Sequence, residues 1–183
     1  MLDVTCRRRV AAVASLAVLV LAMPARAESQ AAGVGQAAPA FSAPTLDARV
    51  VDLDAWRGHA VIVNFWATWC APCRKELPMF ESVYRDERAR GLEVVAISLD
   101  DPAALKDVHT LARGLSFPVA LAHDATRNGF KTPDALPLTY VIDARGVIRA
   151  RFTPRRSGLT KDDVLAAVRP LLMTTPAGAS ASH

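Results

Sequence analysis

The sequence predicts an α/β fold, a mixed central β-sheet flanked by helices on both faces. Three observations lead there. Two short runs of near-continuous apolar character, 60–66 and 93–99, read as strands covered on both faces. A stretch with apolar residues at helical spacing lies between them. A hairpin signal and a capped helix then close the chain. Strand-helix-strand units followed by a hairpin and a helix place a sheet between helical layers.

Taken in order, Val50 to Leu53 forms a short strand and Trp56-Arg57-Gly58 a turn. Ala60 to Trp66 (Ala-Val-Ile-Val-Asn-Phe-Trp) follows, its β-branched and aromatic residues suited to a pleated surface. Pro72 fits an early helical position, where its missing N–H costs nothing. That helix runs toward Arg90 and stops at Gly91, a C-cap residue. Leu77, Phe80, Val83 and Tyr84 form the stripe that covers the sheet. Glu93 to Leu99 is a second buried strand, Pro102 to Arg113 a helix ended by Gly114, and Val119 to Ala122 a third central strand. Leu138 to Ile142 and Val147 to Phe152 flank Asp143-Ala144-Arg145-Gly146, a turn with glycine in its last position. Thr160 with Asp163 three residues on is a capping-box pattern. Leu159, Val164, Leu165, Val168 and Leu172 give the final helix its covering face.

The amino terminus has the pattern of an export signal. Arg7, Arg8 and Arg9 precede a weakly polar run of 14 residues from Val10 to Met23, then Pro24 and Ala25-Arg26-Ala27. A basic region, a short apolar region and an Ala-x-Ala end predict cleavage between Ala27 and Glu28. The rival reading is an uncleaved membrane tether. A spanning helix needs about 20 apolar residues, and this run meets Pro24 first. Cys6 precedes the apolar run, so it is badly placed for lipid attachment at a mature N-terminus. The expected chain is exported and soluble after cleavage.

Cleavage changes the charge. Of 22 basic and 18 acidic residues, residues 28–183 keep 18 and 17. The basic character therefore belongs largely to the targeting segment, and nucleic acid, which needs a real cluster of Lys and Arg, is not an expected partner. Arg145, Arg149, Arg151, Arg155 and Arg156 form the one late basic cluster, either a solvated rim or a docking surface for an acidic partner. The 156 residues left after cleavage suffice for one core. Residues 28–38 read as a flexible leader, 39–173 as the domain and 174–183 as a disordered tail.

Cys70 and Cys73 are the only cysteines outside the export signal, and they sit where a strand turns into a helix. Two intervening residues let the side chains meet across the first helical turn. Unpaired N–H groups and the positive helix end favour a thiolate at Cys70. Cys70 is then the attacking nucleophile and Cys73 the resolving thiol. A structural disulfide closing so short a loop adds little chain entropy. Zinc wants four ligands, and His59, His109 and His123 show no spacing relative to the pair. No metal or cofactor is expected, although two thiolates suit Cu(I). Ala71 and Pro72 add no cation between the cysteines, so the helix end does most of the thiolate stabilisation. Leu136-Pro137-Leu138-Thr139-Tyr140 puts a proline at the first residue of a strand, where it is tolerated. A cis Leu136–Pro137 bond would turn backbone groups toward the cysteines, and a trans turn proline is the alternative.

The chain resembles the thioredoxin superfamily, in its periplasmic branch of TlpA-like, ResA-like and cytochrome c biogenesis (CcmG-like) proteins. The resemblance rests on Val61-Ile62-Val63-Asn64-Phe65-Trp66-Ala67-Thr68-Trp69-Cys70-Ala71-Pro72-Cys73-Arg74-Lys75-Glu76-Leu77-Pro78 and on Leu136 to Asp143, and extends over residues 39–172. It implies a thioredoxin-like fold and a thiol-disulfide oxidoreductase without cofactor, with a cis proline at Pro137. It also implies a reductant of protein disulfides, serving apocytochrome c or a copper-site protein and kept reduced by a membrane electron donor of the DsbD/CcdA type. Asn64 stands where ordinary thioredoxins carry a buried carboxylate, and Glu76 resembles the branch's substitute acid. A solvent-facing helix glutamate is the other reading of Glu76. Trp66 and Trp69 would flank the site, and Trp69, Ala71, Pro72 and Leu136 would meet the substrate. Ala135 replaces the family's usual glycine in the loop before Pro137, so substrate choice does not transfer with the rest. A peroxiredoxin relative would carry Pro-x-x-x-Thr-x-x-Cys, and Thr68 has the wrong spacing to Cys70. The alternatives are a thiol oxidant or isomerase for secreted proteins and a Cu(I)-binding assembly module.

Overall fold

Two parallel strands and the helix that joins them organise the chain. The computed structural model describes residues 32–173. The expected signal (1–27, with Cys6), the first part of the leader and the tail (174–183) lie outside the described residues. In chain order the elements are β1 (Phe41–Pro44), β2 (Val50–Asp52), β3 (Ala60–Trp66) and α1 (Ala71–Glu87). They continue with β4 (Leu92–Ser98), α2 (Leu105–Ala112), β5 (Val119–Leu121) and β6 (Arg127–Asn128). β7 (Leu138–Ile142), β8 (Ile148–Phe152) and α3 (Lys161–Val168) complete them.

The main sheet has the order β5-β4-β3-β7-β8. β3 pairs parallel with β4 and antiparallel with β7, and every residue of β3 is buried. Alternation along β3 divides the core in two. Ala60, Ile62 and Trp66 face a core built with Leu77, Phe80 and Val83 of α1, Val108 of α2 and Val164, Leu165 and Val168 of α3. Val61, Val63 and Phe65 face the other, with Phe41, Val51, Tyr140 and Phe130.

The fold class is the expected one, a mixed sheet flanked by helices, but the second face is covered differently. A three-stranded sheet of order β2-β1-β6 lies there, with a 3-10 turn at Ala122–Asp124. Strands β3, β4 and β5 step across the sheet in one direction, so right-handed crossovers carry α1 and α2 onto the same face. β5 is also an edge strand, not a third central one. A bridge from Thr45 to Ala120 and the Leu46 N–H on the Val119 carbonyl cover part of that edge.

Local signals hold where they were strong. α1 tightens into a 3-10 turn over Arg88–Arg90 and ends at Gly91, whose φ of 84° is left-handed. Thr160 and Asp163 form the reciprocal capping box of α3. Gly146 closes the hairpin turn at φ 78°, and a Cβ there would collide with the Arg57 guanidinium. Part of the segment read as a flexible leader is pinned. Gly35 and Ala38 donate to the carbonyls of Ile148 and Gly146, and Ile148 N–H donates to the Gln36 carbonyl.

Candidate functional site

The loop leaving β3 delivers Cys70 to the start of α1. Its backbone is still extended (φ −83°, ψ 97°), so it serves as the N-cap, and its Sγ lies 3.3 Å from the Cys73 N–H as acceptor. Ala71 and Pro72 follow as the first helical residues, both exposed. Cys70 and Cys73 are joined by a disulfide. Cys70 is 5% exposed and Cys73 1%. Both residues are buried, Cys70 slightly less so than Cys73.

Glu76 lies one turn beyond Cys73 and is 7% exposed. Of the two readings of this residue, the solvent-facing one is not what the fold builds, because the loop 155–159 closes over it. Its Oε2 has no hydrogen-bond partner. Burial pushes its carboxyl from 4.5 up to about 7, with a backbone hydrogen bond from Leu159 and the field of Arg155 opposing. Asn64, by contrast, is satisfied: its Nδ2 donates to Thr139 Oγ1 at 2.9 Å across the β3–β7 ladder.

The Leu136–Pro137 peptide is cis. β7 begins at Leu138, in register with Phe65, so buried Pro137 stands at the end of the sheet where β3 leads to Cys70. Leu136 packs against the core that contains both cysteines. Trp66 is fully buried, whereas Trp69 is 68% exposed at the rim. Two grooves flank the pair. One is lined by Thr68, Trp69, Arg74 and residues of α2, the other by Ala71, Pro72, Lys75, Glu76 and the loop 155–159.

Sequence reasoning passed over Asp100. This carboxylate, 3% exposed, accepts from the Thr68 N–H at 2.9 Å, from Thr68 Oγ1 at 2.7 Å and from Ser98 Oγ at 2.7 Å. Arg74 Nη1 donates to the Thr68 carbonyl at 2.6 Å. The loop before Cys70 is thus held by a carboxylate two residues past the end of β4. The available signal was positional, since sites in open α/β sheets form beyond the carboxyl ends of strands. Among the described residues no cluster of three or more His, Cys, Asp or Glu side chains could hold a metal ion.

A profile of the AhpC/TSA family matches residues 34–151. The thiol-disulfide oxidoreductase ResA of Geobacillus thermodenitrificans is 32% identical over 138 residues, covering 75% of this chain and 77% of that protein. A thiol:disulfide interchange protein of the thioredoxin family from Chlorobium tepidum superposes with a TM-score of 0.60 at 29% identity, over 77% of this chain and 99% of that one. A secreted thiol-disulfide isomerase from Corynebacterium glutamicum superposes with a TM-score of 0.60 at 26% identity, over 74% of this chain and 84% of that one.

Proposed function

The chain belongs to the AhpC/TSA family and, within the thioredoxin superfamily, to the ResA-like thiol-disulfide oxidoreductases, and we propose that it works in the periplasm as a reductant of protein disulfides. Its substrates on this reading are apocytochrome c or a copper-site protein, and a membrane electron donor of the DsbD/CcdA type returns it to the dithiol. The observation that carries the reading is the Cys70–Cys73 pair at the N-terminus of α1, backed one turn on by the buried, unpartnered Glu76 carboxyl.

The exchange follows from this geometry. In the dithiol form, the Cys70 thiolate attacks one sulfur of the partner's disulfide. A Cys70–partner bond forms as the partner's S–S bond breaks, and the leaving sulfur takes up a proton. Cys73 then loses its proton and attacks Cys70 Sγ. The Cys70–Cys73 bond closes, and the second partner sulfur leaves and is protonated. Two electrons and two protons pass to the partner, and the chain is left in the disulfide state described above.

Four residues support those steps. The N-terminus of α1 stabilises the Cys70 thiolate, with no help from uncharged Ala71 and Pro72. Glu76, titrating near neutrality, accepts the Cys73 proton at the moment of resolution and returns it later. Pro137, which has no N–H, leaves its stretch of backbone free to receive an extended peptide beside the pair, with Leu136 and exposed Trp69 as apolar contacts.

The test is the equilibrium potential of the Cys70–Cys73 couple. A reductant requires a value below the glutathione couple's, on the order of −220 to −260 mV. A value near the strongly oxidising periplasmic oxidases, about −120 mV, would instead assign the thiol oxidant role. Retention of stoichiometric Cu(I) without any exchange activity would assign the copper-binding module.

A further inference from the structure

We propose that the groove between the first turn of α1 and the loop 155–159 receives an acidic segment of the substrate protein, one carrying carboxylates within a few residues of its disulfide. The inference rests on the thiol-exchange reading and adds to it a choice of substrate. The groove opens directly beside the reacting pair, since Ala71 and Pro72 form one wall. Its charged lining is Lys75, Arg155 and Arg156 against the single acid Glu76. Arg155 is partnered by Asp163 at 3.0 Å, but Lys75 and Arg156 are exposed and have no ion pair among the described residues.

That condition contrasts with most arginines of the domain. Arg85, Arg90, Arg127, Arg149 and Arg169 are each tied to a carboxylate. The opposing acid in the groove is also weak, because burial keeps Glu76 partly protonated at neutral pH. The positive end of α1 adds to the same field. Residues 28–183 carry 18 basic and 17 acidic side chains, so any preference for anions is local to this rim. A protein segment is the occupant because the chemistry beside the groove consumes a disulfide.

The experiment compares three synthetic peptides with the same disulfide loop, flanked by paired Glu, paired Ser or paired Lys. Their second-order rates of reduction by the dithiol protein are measured at low ionic strength. The Glu peptide is expected to react about tenfold faster than the Ser peptide and the Lys peptide slower, with the order collapsing near 0.5 M salt. The Lys75→Glu, Arg156→Glu double variant should invert the Glu-to-Lys rate ratio, a readout from which any general loss of activity cancels. Equal rates for the three peptides at low salt would overturn the docking proposal while leaving thiol exchange intact. Failure to reduce any peptide would instead strike the exchange reading itself. Salt-sensitive binding to phosphatidylglycerol vesicles, with no discrimination among the peptides, would move the groove's role to a lipid surface and likewise overturn the proposal.

Discussion

Glu76 lies buried one helical turn past the inner cysteine with an oxygen unpartnered, and this ties stability to pH in a definite direction. Its carboxyl titrates near 4.5 in the unfolded chain and about 7 in the fold, so between those values the folded state binds more protons. Its contribution is therefore complete below about pH 4.5 and lost as pH rises through 7, at most about 3 kcal/mol. Glu76→Gln should flatten the dependence of the urea midpoint between pH 5 and 8 and leave the variant more stable than the native chain at pH 8. It should also remove an inflection near pH 7 from the rate of disulfide exchange, which a packing role alone would not produce. Identical profiles for both proteins would leave Glu76 without a part in proton transfer. The cysteines make a second prediction at this scale. In the reduced protein, Cys70 should alkylate faster than Cys73, and Cys73→Ser should trap a mixed disulfide that Cys70→Ser does not. Faster labelling at Cys73 would reverse the two roles.

Among the elements, the loop from Ala67 to Cys70 shows how far the site depends on a strand distant in sequence. Asp100 holds Thr68 through both its N–H and its hydroxyl, and Ser98 completes the carboxylate's partners. Asp100→Ala leaves those buried donors unpaired and should destabilise the protein by about 2–4 kcal/mol. It should also change the alkylation rate of Cys70, an effect Asp100→Asn should partly rescue and a remote destabilising substitution should not mimic. An unchanged rate would confine Asp100 to stability. This brace was illegible in the sequence because it joins residues 32 positions apart without a periodic pattern. The same reason hid β1 and β6, four and two residues long, and with them the sheet they form around β2, although β2 itself was legible as the short strand from Val50. What was legible is local: the fully buried run of β3, the apolar stripe of α1, the hairpin turn and the Thr160–Asp163 box. Glu76 fell between the two cases. Its helical position was plain, but its burial is set by a loop about 80 residues further on.

On the scale of the whole chain, the question is where the folded unit begins. Composition places its start at Pro39, because Glu28 to Ala38 is rich in Ala, Gly and Gln and without apolar periodicity. Backbone bonding needs no side-chain pattern, and residues 35–38 use it. Three hydrogen bonds tie them to Gly146 and Ile148, and Ala37 bridges to Val147 at the open edge of β8. Cleavage between Ala27 and Glu28, the proposed export step, leaves all of these contacts in place. Removing residues through Ala38 does not, and it exposes the donors and acceptors of an edge strand. Each lost backbone bond is worth about 0.5–1.5 kcal/mol net, and Ala32 and Ala38 also leave the core they pack against, against which stands the entropy of the residues no longer ordered. A chain of residues 39–183 should then unfold about 1–2 kcal/mol more easily than one of residues 28–183 and associate more readily at high concentration. Urea titration and sedimentation of the two proteins side by side check both effects. Coincident unfolding curves would mean that the segment merely lies against the hairpin and that Pro39 is, after all, where the domain starts.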